Sequence, residues 1–293
     1  MSRTTIAEFW SQMEDSWVQC ELCPHRCLIP QNDVGLCFVR GNHNGTLIAA
    51  GYGQISSLAL DPIEKKPLRM FMPGKQILSI GSFGCNLHCP FCQNSAISME
   101  FASASVQSRW QNKVATPDDI VMLAKEAIAE GNIGIAYTYN EPMVGYEFMR
   151  DTAQLAHESE LCNVIVTNGY INKEPLEALL PVIDAMNIDL KGFSNDFYKK
   201  VGGDLEKVKN TITLSRKYCH VEVAVLVIPS ENENDICDLA MWLASIDSEI
   251  PLHLLRFFPR FRYADKTPTS RELVYDLSER AKKYLKNVFI GNM

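Results

Sequence analysis

Three cysteines that follow a short apolar run have the spacing of ligands to an iron–sulfur cluster. Cys85, Cys89 and Cys92 lie in Ser79–Ser95 (SIGSFGCNLHCPFCQNS), with the spacing C-x3-C-x2-C. Thiolates are the usual ligands of a cubane cluster, which has four irons. Three thiolates leave one iron open to a substrate, so the spacing predicts a reactive 4Fe-4S site. The alternative is zinc, but structural zinc sites want four protein ligands, and His88 is the local candidate for a fourth.

A second group of four cysteines lies earlier in the chain. Cys20, Cys23, Cys27 and Cys37 occur in CELCPHRCLIPQNDVGLC, with the spacing C-x2-C-x3-C-x9-C. Four thiolates in one short segment can close a tetrahedral zinc site or bind a second iron–sulfur cluster. Zinc would staple a segment that has little core of its own. A second cluster would relay electrons, and both interpretations stay open.

The composition bounds the compartment and the partners. The chain has 293 residues and a formal net charge of −7, which does not favour a nucleic-acid substrate. The N-terminus has no secretory pattern, and no apolar run is long enough for a membrane span. A cytoplasmic protein is therefore predicted, with no membrane partner. In a reducing compartment clustered cysteines indicate metal sites, whereas the isolated Cys162, Cys219 and Cys237 are predicted to be small buried side chains.

Strands and helices alternate from about residue 76 onward. A parallel sheet with right-handed crossovers follows, and the count falls short of the eight units of a closed barrel. The predicted fold class is α/β, a partial and open (β/α)6 barrel at residues 76–293, preceded by a small Cys-rich metal-binding appendage at residues 1–75. The predicted strands are Gln76–Ile80, Ile133–Tyr139, Cys162–Asn168, Ala185–Leu190, Val221–Ile228, Leu252–Phe258 and Val288–Ile290. The predicted helices are Pro117–Glu130, Asp204–Tyr218, Glu233–Ile246 and Thr269–Leu285.

The cysteine loop resembles the signature of the radical S-adenosylmethionine (SAM) superfamily. That signature is C-x3-C-x-aromatic-C, and Phe91 stands where the family keeps an aromatic residue beside the adenine. From residue 20 onward the chain is similar to the branch related to pyruvate formate-lyase activating enzyme. Its closest likeness is to the radical SAM member of the AmmeMemoRadiSam group, through CELCPHRC, DPIEKKPL, CNLHCPFCQNSAIS, YTYNEP, VTNGY, NIDLKGF, LVIP and RFFP.

The resemblance implies a SAM site at the C-terminal ends of the strands. Asn140 and Glu141, in YTYNEP, stand where the family contacts the methionine amino group, although the family's two glycines are absent. A helix-start role for Glu141 is the alternative. Asn168 is implied to face the SAM pocket, or else to form an Asn-Gly turn. Val166 replaces an aspartate of similar activating enzymes, so a cation site built on that aspartate is not carried over.

Two later strands carry further candidates. Alternation puts Asp189 and Lys191 on one side of the fourth strand, near the active site or as a plain ion pair. His253 and Arg256, on the sixth strand, are candidates for contact with the adenosine or the substrate. For a lone histidine such as His253, a satisfied place in the core is the alternative.

The implied activity is reductive cleavage of SAM to a 5′-deoxyadenosyl radical, which abstracts hydrogen from an unidentified substrate. The cofactors are then a 4Fe-4S cluster and SAM, and the partners an electron donor such as flavodoxin or ferredoxin and a protein or small-molecule substrate. A rival is a glycyl-radical-enzyme activase acting on a partner protein, although the cysteine block before the core favours the AmmeMemoRadiSam-like branch. A second rival is a non-catalytic iron–sulfur electron carrier or sensor, which would leave the open coordination site without a purpose.

Overall fold

A computed structural model describes residues 5–100 and 114–293 of the chain. Its strands are β1 Trp10–Gln12, β2 Val18–Cys20, β3 Leu28–Ile29, β4 Arg40–His43, β5 Thr46–Ala49, β6 Ser57–Pro62, β7 Gln76–Gly81, β8 Asn132–Thr138, β9 Cys162–Thr167, β10 Ala185–Asp189, β11 His220–Val227, β12 Leu252–Arg256 and β13 Val288–Gly291. Its α-helices are α1 Ser95–Ser98, α2 Pro117–Glu126, α3 Tyr146–Glu158, α4 Lys173–Leu179, α5 Asn195–Val201, α6 Leu205–Ser215, α7 Ile236–Ile246 and α8 Arg271–Ala281.

An eight-stranded sheet carries the fold. Its order is β13-β12-β11-β10-β9-β8-β7-β6, so strands that follow each other in the chain are also neighbours in the sheet. The strands from β7 to β13 run parallel, and β6 pairs antiparallel with β7 at one edge. The two edge strands do not pair with each other, so the sheet stays open. The predicted parallel sheet of a partial barrel is confirmed.

The residues of the elements explain where they form. The clearest predicted helix, α2, begins at a capping box in which Thr116 and Asp119 satisfy each other's backbone N–H groups, with Pro117 as its first residue. A 3-10 turn extends it to Gly131, whose φ of 90° suits a helix end. The strand β10 is buried at Ala185, Met186, Asn187 and Ile188, as expected of a parallel strand covered on both faces.

The N-terminal segment forms two small sheets and one strand of the large sheet. The small sheets are β1-β2-β3 and β4-β5. The strand β6, at residues 57–62, belongs to the large sheet although it falls within the predicted appendage. The segment is joined to α3 by Arg40 and Glu147, which are each 1% exposed and form an ion pair at 2.9 Å. The division at residue 75 stays a prediction.

The sequence patterns did not predict four of the helices, α1, α3, α4 and α5. The longest of them, α3, buries Tyr146, Phe148, Met149, Ala153 and Ala156 against the sheet side of the molecule. No helix in the described ranges is long and apolar enough to cross a membrane.

Candidate active site

A large cavity opens where the parallel strands end. Its volume is about 590 Å³, which is within the usual range for small-molecule sites. The sequence predicted eleven residues of an active site in this core, and all of them line the cavity: Cys85, Cys89, Phe91, Cys92, Asn140, Glu141, Asn168, Asp189, Lys191, His253 and Arg256. The strand ends therefore bring together residues that lie more than 160 positions apart in the chain.

The three cysteines of the loop after β7 share this cavity. Cys85 lies close enough to Cys89 and Cys92 for their charges to interact. Within the described ranges, residues 5–100 and 114–293, no group of three His, Cys, Asp or Glu side chains has the geometry to bind a single metal ion. A cubane cluster has a different requirement, because each of its thiolates binds a different iron. Three thiols around one open cavity fit a 4Fe-4S cluster with one iron left without a protein ligand.

The local backbone holds the loop in place and turns His88 away from the cavity. The backbone N–H of His88 donates to the carbonyl of Val201 at 2.8 Å. The His88 ring lies near Gly202, where a Cβ atom would be 3.2 Å from Nδ1. His88 is absent from the residues that line the cavity, so it is not placed as a fourth ligand.

The cysteine thiols lie in an environment that opposes free thiolates. Burial raises the pKa of the Cys85 thiol well above its usual range, and the nearby carboxylate of Glu141 raises it further. Burial likewise raises the pKa of Cys89 to about 11, although Lys191 opposes this. Metal binding must displace these protons. The backbone N–H of Leu87, at 3.3 Å, and the side-chain amide of Asn168, at 3.6 Å, both donate to the sulfur of Cys85.

Glu141 joins the ends of β8 and β9. It is 2% exposed, and its two oxygens accept from the Thr167 hydroxyl, the Asn168 backbone N–H and the Met143 backbone N–H at 2.7, 2.7 and 3.0 Å. Burial raises the pKa of Glu141 to about 7, and these hydrogen bonds oppose that rise. A carboxylate can accept about four hydrogen bonds, so one position remains for an ammonium group in the cavity.

Asn140 fixes the start of the cysteine loop. Its Oδ1 accepts from the backbone N–H of Ser82 at 2.9 Å, and its Nδ2 donates to the carbonyl of Gly84 at 3.0 Å. Its amide is thus occupied by the segment that leads into Cys85. Asn140 lines the cavity, but its contacts are those of a residue that positions the loop.

Asp189 and Lys191 form the ion pair that their alternation predicted. Lys191 Nζ donates to Asp189 Oδ2 at 2.9 Å. Burial alone would lower the pKa of Lys191, but Asp189 and the neighbouring Cys89 and Cys85 raise it, so the ammonium stays charged. A positive charge beside the cysteine loop stabilises thiolates and any anionic group bound there.

Phe91 and His253 lie in different parts of the cavity. The Phe91 ring is 6% exposed and packs near Phe197 and Tyr263, with ring centroids 6.0 and 5.9 Å away. His253 lies towards the N-terminal end of β12, three residues before its last residue, and its Nε2 is 2.5 Å from Oε2 of Glu222. It therefore lies towards the end of the barrel opposite to the cysteine loop.

Several residues of the cavity were not predicted, or were predicted without a role. Lys66 and Arg69, in and directly after DPIEKKPL, line the cavity, and so does Arg260, which follows β12. The basic residues that follow β12 were a usable signal. Asn86 was also missed, although it lies beside Cys85 and accepts a 2.9 Å hydrogen bond from Asn168.

The four N-terminal cysteines come together at a separate, small cavity. Cys20, Cys23, Cys27 and Cys37 all line it, so the structure groups the four residues as the spacing predicted. What they bind is a separate question.

Comparison with known proteins identifies the family. The family model described as "Radical SAM superfamily" matches residues 79–243. The chain is 44% identical over 294 residues to "Uncharacterized protein MJ0808" of Methanocaldococcus jannaschii, across 98% of this chain and 85% of that protein. It is 29% identical over 233 residues to "Putative glycyl-radical enzyme activating enzyme MJ1227" of the same organism, across 74% of this chain and 90% of that protein.

A solved structure agrees with the fold. The structure of SuiB from Streptococcus suis bound to S-adenosylmethionine matches with a TM-score of 0.55 and 14% identity, over 71% of this chain and 48% of that one. The chain belongs to the radical SAM superfamily, as its cysteine motif predicted. Family membership implies a 4Fe-4S cluster and SAM, and the residues around the large cavity fit both groups.

Proposed function

We propose that the chain holds a 4Fe-4S cluster on Cys85, Cys89 and Cys92 and uses SAM to remove a hydrogen atom from a substrate. The observation that carries this proposal is that the three thiols share one cavity with a buried carboxylate and a lysine. The chemistry that the cluster and SAM supply when bound is reductive cleavage of a C–S bond to give a 5′-deoxyadenosyl radical. Flavodoxin or ferredoxin is the class of electron donor proposed.

The residues of the chain have separable tasks in this proposal. Glu141 accepts from the methionine ammonium of SAM through its remaining lone pair, and Asn168 supports it by bonding Cys85 and fixing the strand end. Lys191, held by Asp189, offsets the negative charge of the thiolates. Phe91 covers the adenine with its ring. His253 was predicted as a SAM contact. Its position near the N-terminal end of β12, bonded to Glu222, instead supports contact with the substrate or a place in the wall of the cavity away from SAM.

The cavity also favours a substrate with an anionic group. Arg256 and Arg260 both line it, and neither has a carboxylate partner among the residues that the structure describes. Arg256 Nε donates to the carbonyl of Thr269 at 2.6 Å, so its position is fixed while its charge is not neutralised. Fixed guanidinium groups suit carboxylates and phosphates.

A protein substrate is the second candidate. The relative MJ1227 carries the name of a putative glycyl-radical enzyme activating enzyme, and it aligns with 74% of this chain. In that case a glycine of a partner protein would enter the cavity. Stimulation of SAM cleavage by the partner's glycine loop would support this candidate.

Three further parts of the proposal rest on the sequence. The four N-terminal cysteines are proposed to bind a second metal group. Residues 1–75 are proposed as the segment that carries this group, and residues 76–293 as the catalytic core. The likeness to the AmmeMemoRadiSam branch and the cytoplasmic location stay predictions.

The direct test is 5′-deoxyadenosine formation by anaerobically reconstituted protein with dithionite, followed by chromatography. Wild type is expected to form it, and Cys89→Ala is expected to fall to the background because a ligand is lost. Cys237→Ala is the matched control, since Cys237 lies outside both cysteine groups and should leave the rate unchanged. Wild-type protein that carries a full cluster and binds SAM, yet forms no product with or without a glycine-loop partner, would contradict the proposal.

A further inference from the structure

The four N-terminal cysteines surround one small, closed cavity. Its volume is about 20 Å³, and Cys20, Cys23, Cys27 and Cys37 all line it. Most of the remaining wall is apolar, formed by Leu22, Ile29, Leu36 and Val144. A cavity of about 10–15 Å³ by this measure already holds a water molecule. The four thiols therefore enclose a void instead of packing against each other.

Four thiols around one void can hold either a zinc ion or an iron–sulfur cluster. A tetrahedral zinc site holds four sulfur atoms about 2.3 Å from a single ion, whereas in a cubane cluster each sulfur binds a different iron. The size of the void does not separate the two groups. The contact between this cavity and the loop of the first cysteine group favours the cluster, because only a cluster can pass electrons to that loop.

A buried cation also lines this cavity. Arg40 is 1% exposed, and its Nη1 is 2.9 Å from both carboxylate oxygens of Glu147. Its Nε is buried and has no hydrogen-bond partner. A buried N–H group without an acceptor is costly, so the site is incomplete as it stands. Thiolate or sulfide sulfur atoms in the cavity would supply the missing acceptor.

The small cavity adjoins the cysteine loop on both sides of Cys85. The preceding residue, Gly84, has a φ of 90° and packs so tightly that a Cβ atom there would be 2.5 Å from the carbonyl oxygen of Cys37. The following residue, Asn86, lines the small cavity, and its carbonyl oxygen is 2.7 Å from Nε2 of His25. Asn86 is also hydrogen-bonded to Asn168. The backbone of the loop on both sides of Cys85 therefore lies against the small cavity or its wall.

We propose that Cys20, Cys23, Cys27 and Cys37 hold a second iron–sulfur cluster that passes electrons to the cluster site at Cys85. Electrons reach it from the surface at Leu36, which both lines the cavity and is 46% exposed. A reduced one-electron carrier protein loses one electron, and the second cluster gains it and passes it on, with no bond made or broken. The relay rests on the proposed function, whereas the second cluster itself does not.

The first experiment tests the cluster in a protein that lacks the first site. Anaerobically reconstituted Cys85→Ala/Cys89→Ala/Cys92→Ala is analysed for iron, sulfide and zinc, and by electron paramagnetic resonance after reduction. We expect about four irons and four sulfides per chain, as in a cubane cluster. One zinc without sulfide, or no bound metal in folded protein, overturns the proposal. This result does not depend on whether the wild type cleaves SAM.

The second experiment separates a relay from a structural role. Cys20→Ala/Cys23→Ala, loaded at the first site alone, is reduced either with dithionite or with reduced flavodoxin, and reduction of the first cluster is followed by absorbance. We expect wild-type rates with dithionite and loss of the fast phase with flavodoxin. Equal rates with flavodoxin, or equal slowing with both reductants, overturn the relay. Cys237→Ala is again the matched control and should match wild type with both reductants.

Discussion

The two cysteine groups line neighbouring cavities that differ in size and in the polarity of their walls. Three cysteines face an open cavity of about 590 Å³ that also contains carboxylate, ammonium and guanidinium groups. Four cysteines enclose an almost apolar space of about 20 Å³. The open site has room for a small molecule beside a cluster, whereas the closed site has no room for a second ligand beside a metal group. The number of thiols therefore agrees with the size of each cavity. The large cavity has three thiols and space for SAM, and the small cavity has four thiols and no space for a further ligand.

The largest effect is expected at the ion pair that joins the closed site to the core. Arg40→Met leaves Glu147 buried without its cation, and breaking such a pair costs about 3–5 kcal/mol. We expect the free energy of unfolding, measured by urea denaturation, to fall by that amount, with one transition for the whole chain. Arg40→Met/Glu147→Leu should recover much of the loss, because no buried charge is left unpaired.

Lys173→Met is the control for this prediction, since the Lys173–Glu177 pair is exposed and such pairs contribute about 0–1 kcal/mol. If Arg40→Met instead gave two separate transitions, with the core unaffected, the N-terminal segment would be an independent domain. The close coupling of the two sites would then be wrong.

A smaller effect is expected where the two sites touch. Gly84→Ala introduces a Cβ atom 2.5 Å from the Cys37 carbonyl in a left-handed backbone conformation, and should cost about 2–3 kcal/mol. Gly74→Ala is a matched control, because Gly74 has a φ of 81° but no atom within 4 Å, and strain alone costs about 1 kcal/mol. Thermal unfolding and iron content check both variants. Equal losses of stability would show that Gly84 and Cys37 do not restrain each other.

The smallest effect is expected in the pH dependence of SAM affinity, which concerns the open site and not the closed one. Because burial raises the pKa of Glu141 to about 7, the carboxylate takes up a proton as the pH falls below that value and then binds an ammonium less well. SAM affinity of the loaded protein should fall by up to about tenfold per pH unit below 7, as linkage to one proton requires. Calorimetric titration at several pH values measures it.

Two variants sharpen this pH test. Glu141→Gln should bind SAM more weakly and with little pH dependence in this range. Glu64→Gln, which changes another carboxylate that lines the same cavity, should keep the wild-type pH dependence. A wild-type affinity that stays constant below pH 7 would remove Glu141 from the ammonium site. The closed site has no such carboxylate in its wall, so its iron content should not follow this profile.

Much of the fold could be predicted because parallel strands buried on both faces leave continuous apolar runs in the sequence. All seven predicted strands are present, with ends within about two residues of those expected. The edge strand Ser57–Pro62 was missed because it ends in proline, is only partly buried and pairs with β7 alone among the described strands. The helix Tyr146–Glu158 was missed because a 3-10 turn, Pro142–Gly145, separates it from the YTYNEP motif and its N-cap residue, Gly145, has no side chain to signal a start.

The residues of the candidate site could be predicted where a motif fixes the spacing of its ligands. They could not be predicted where the tertiary fold decides which way a side chain points. The cysteine spacings and Glu141 could be read from motifs. The position of His253, towards the end of the barrel away from the cysteines, could not be read from the sequence. Alternation shows which face of a strand a residue is on, but not how far along the barrel the ligand lies. Asn86 could not be placed either, because consecutive loop residues face different sites.

The ion pair between Arg40 and Glu147 spans 107 residues of chain, which orders events during synthesis on the ribosome. All four cysteines of the closed site emerge early, together with Arg40. Val144, which completes the wall of the cavity, and Glu147, which neutralises Arg40, emerge only when about half of the chain has been made. Completion of the N-terminal cavity therefore waits for α3, even though its four cysteines lie far earlier in the chain.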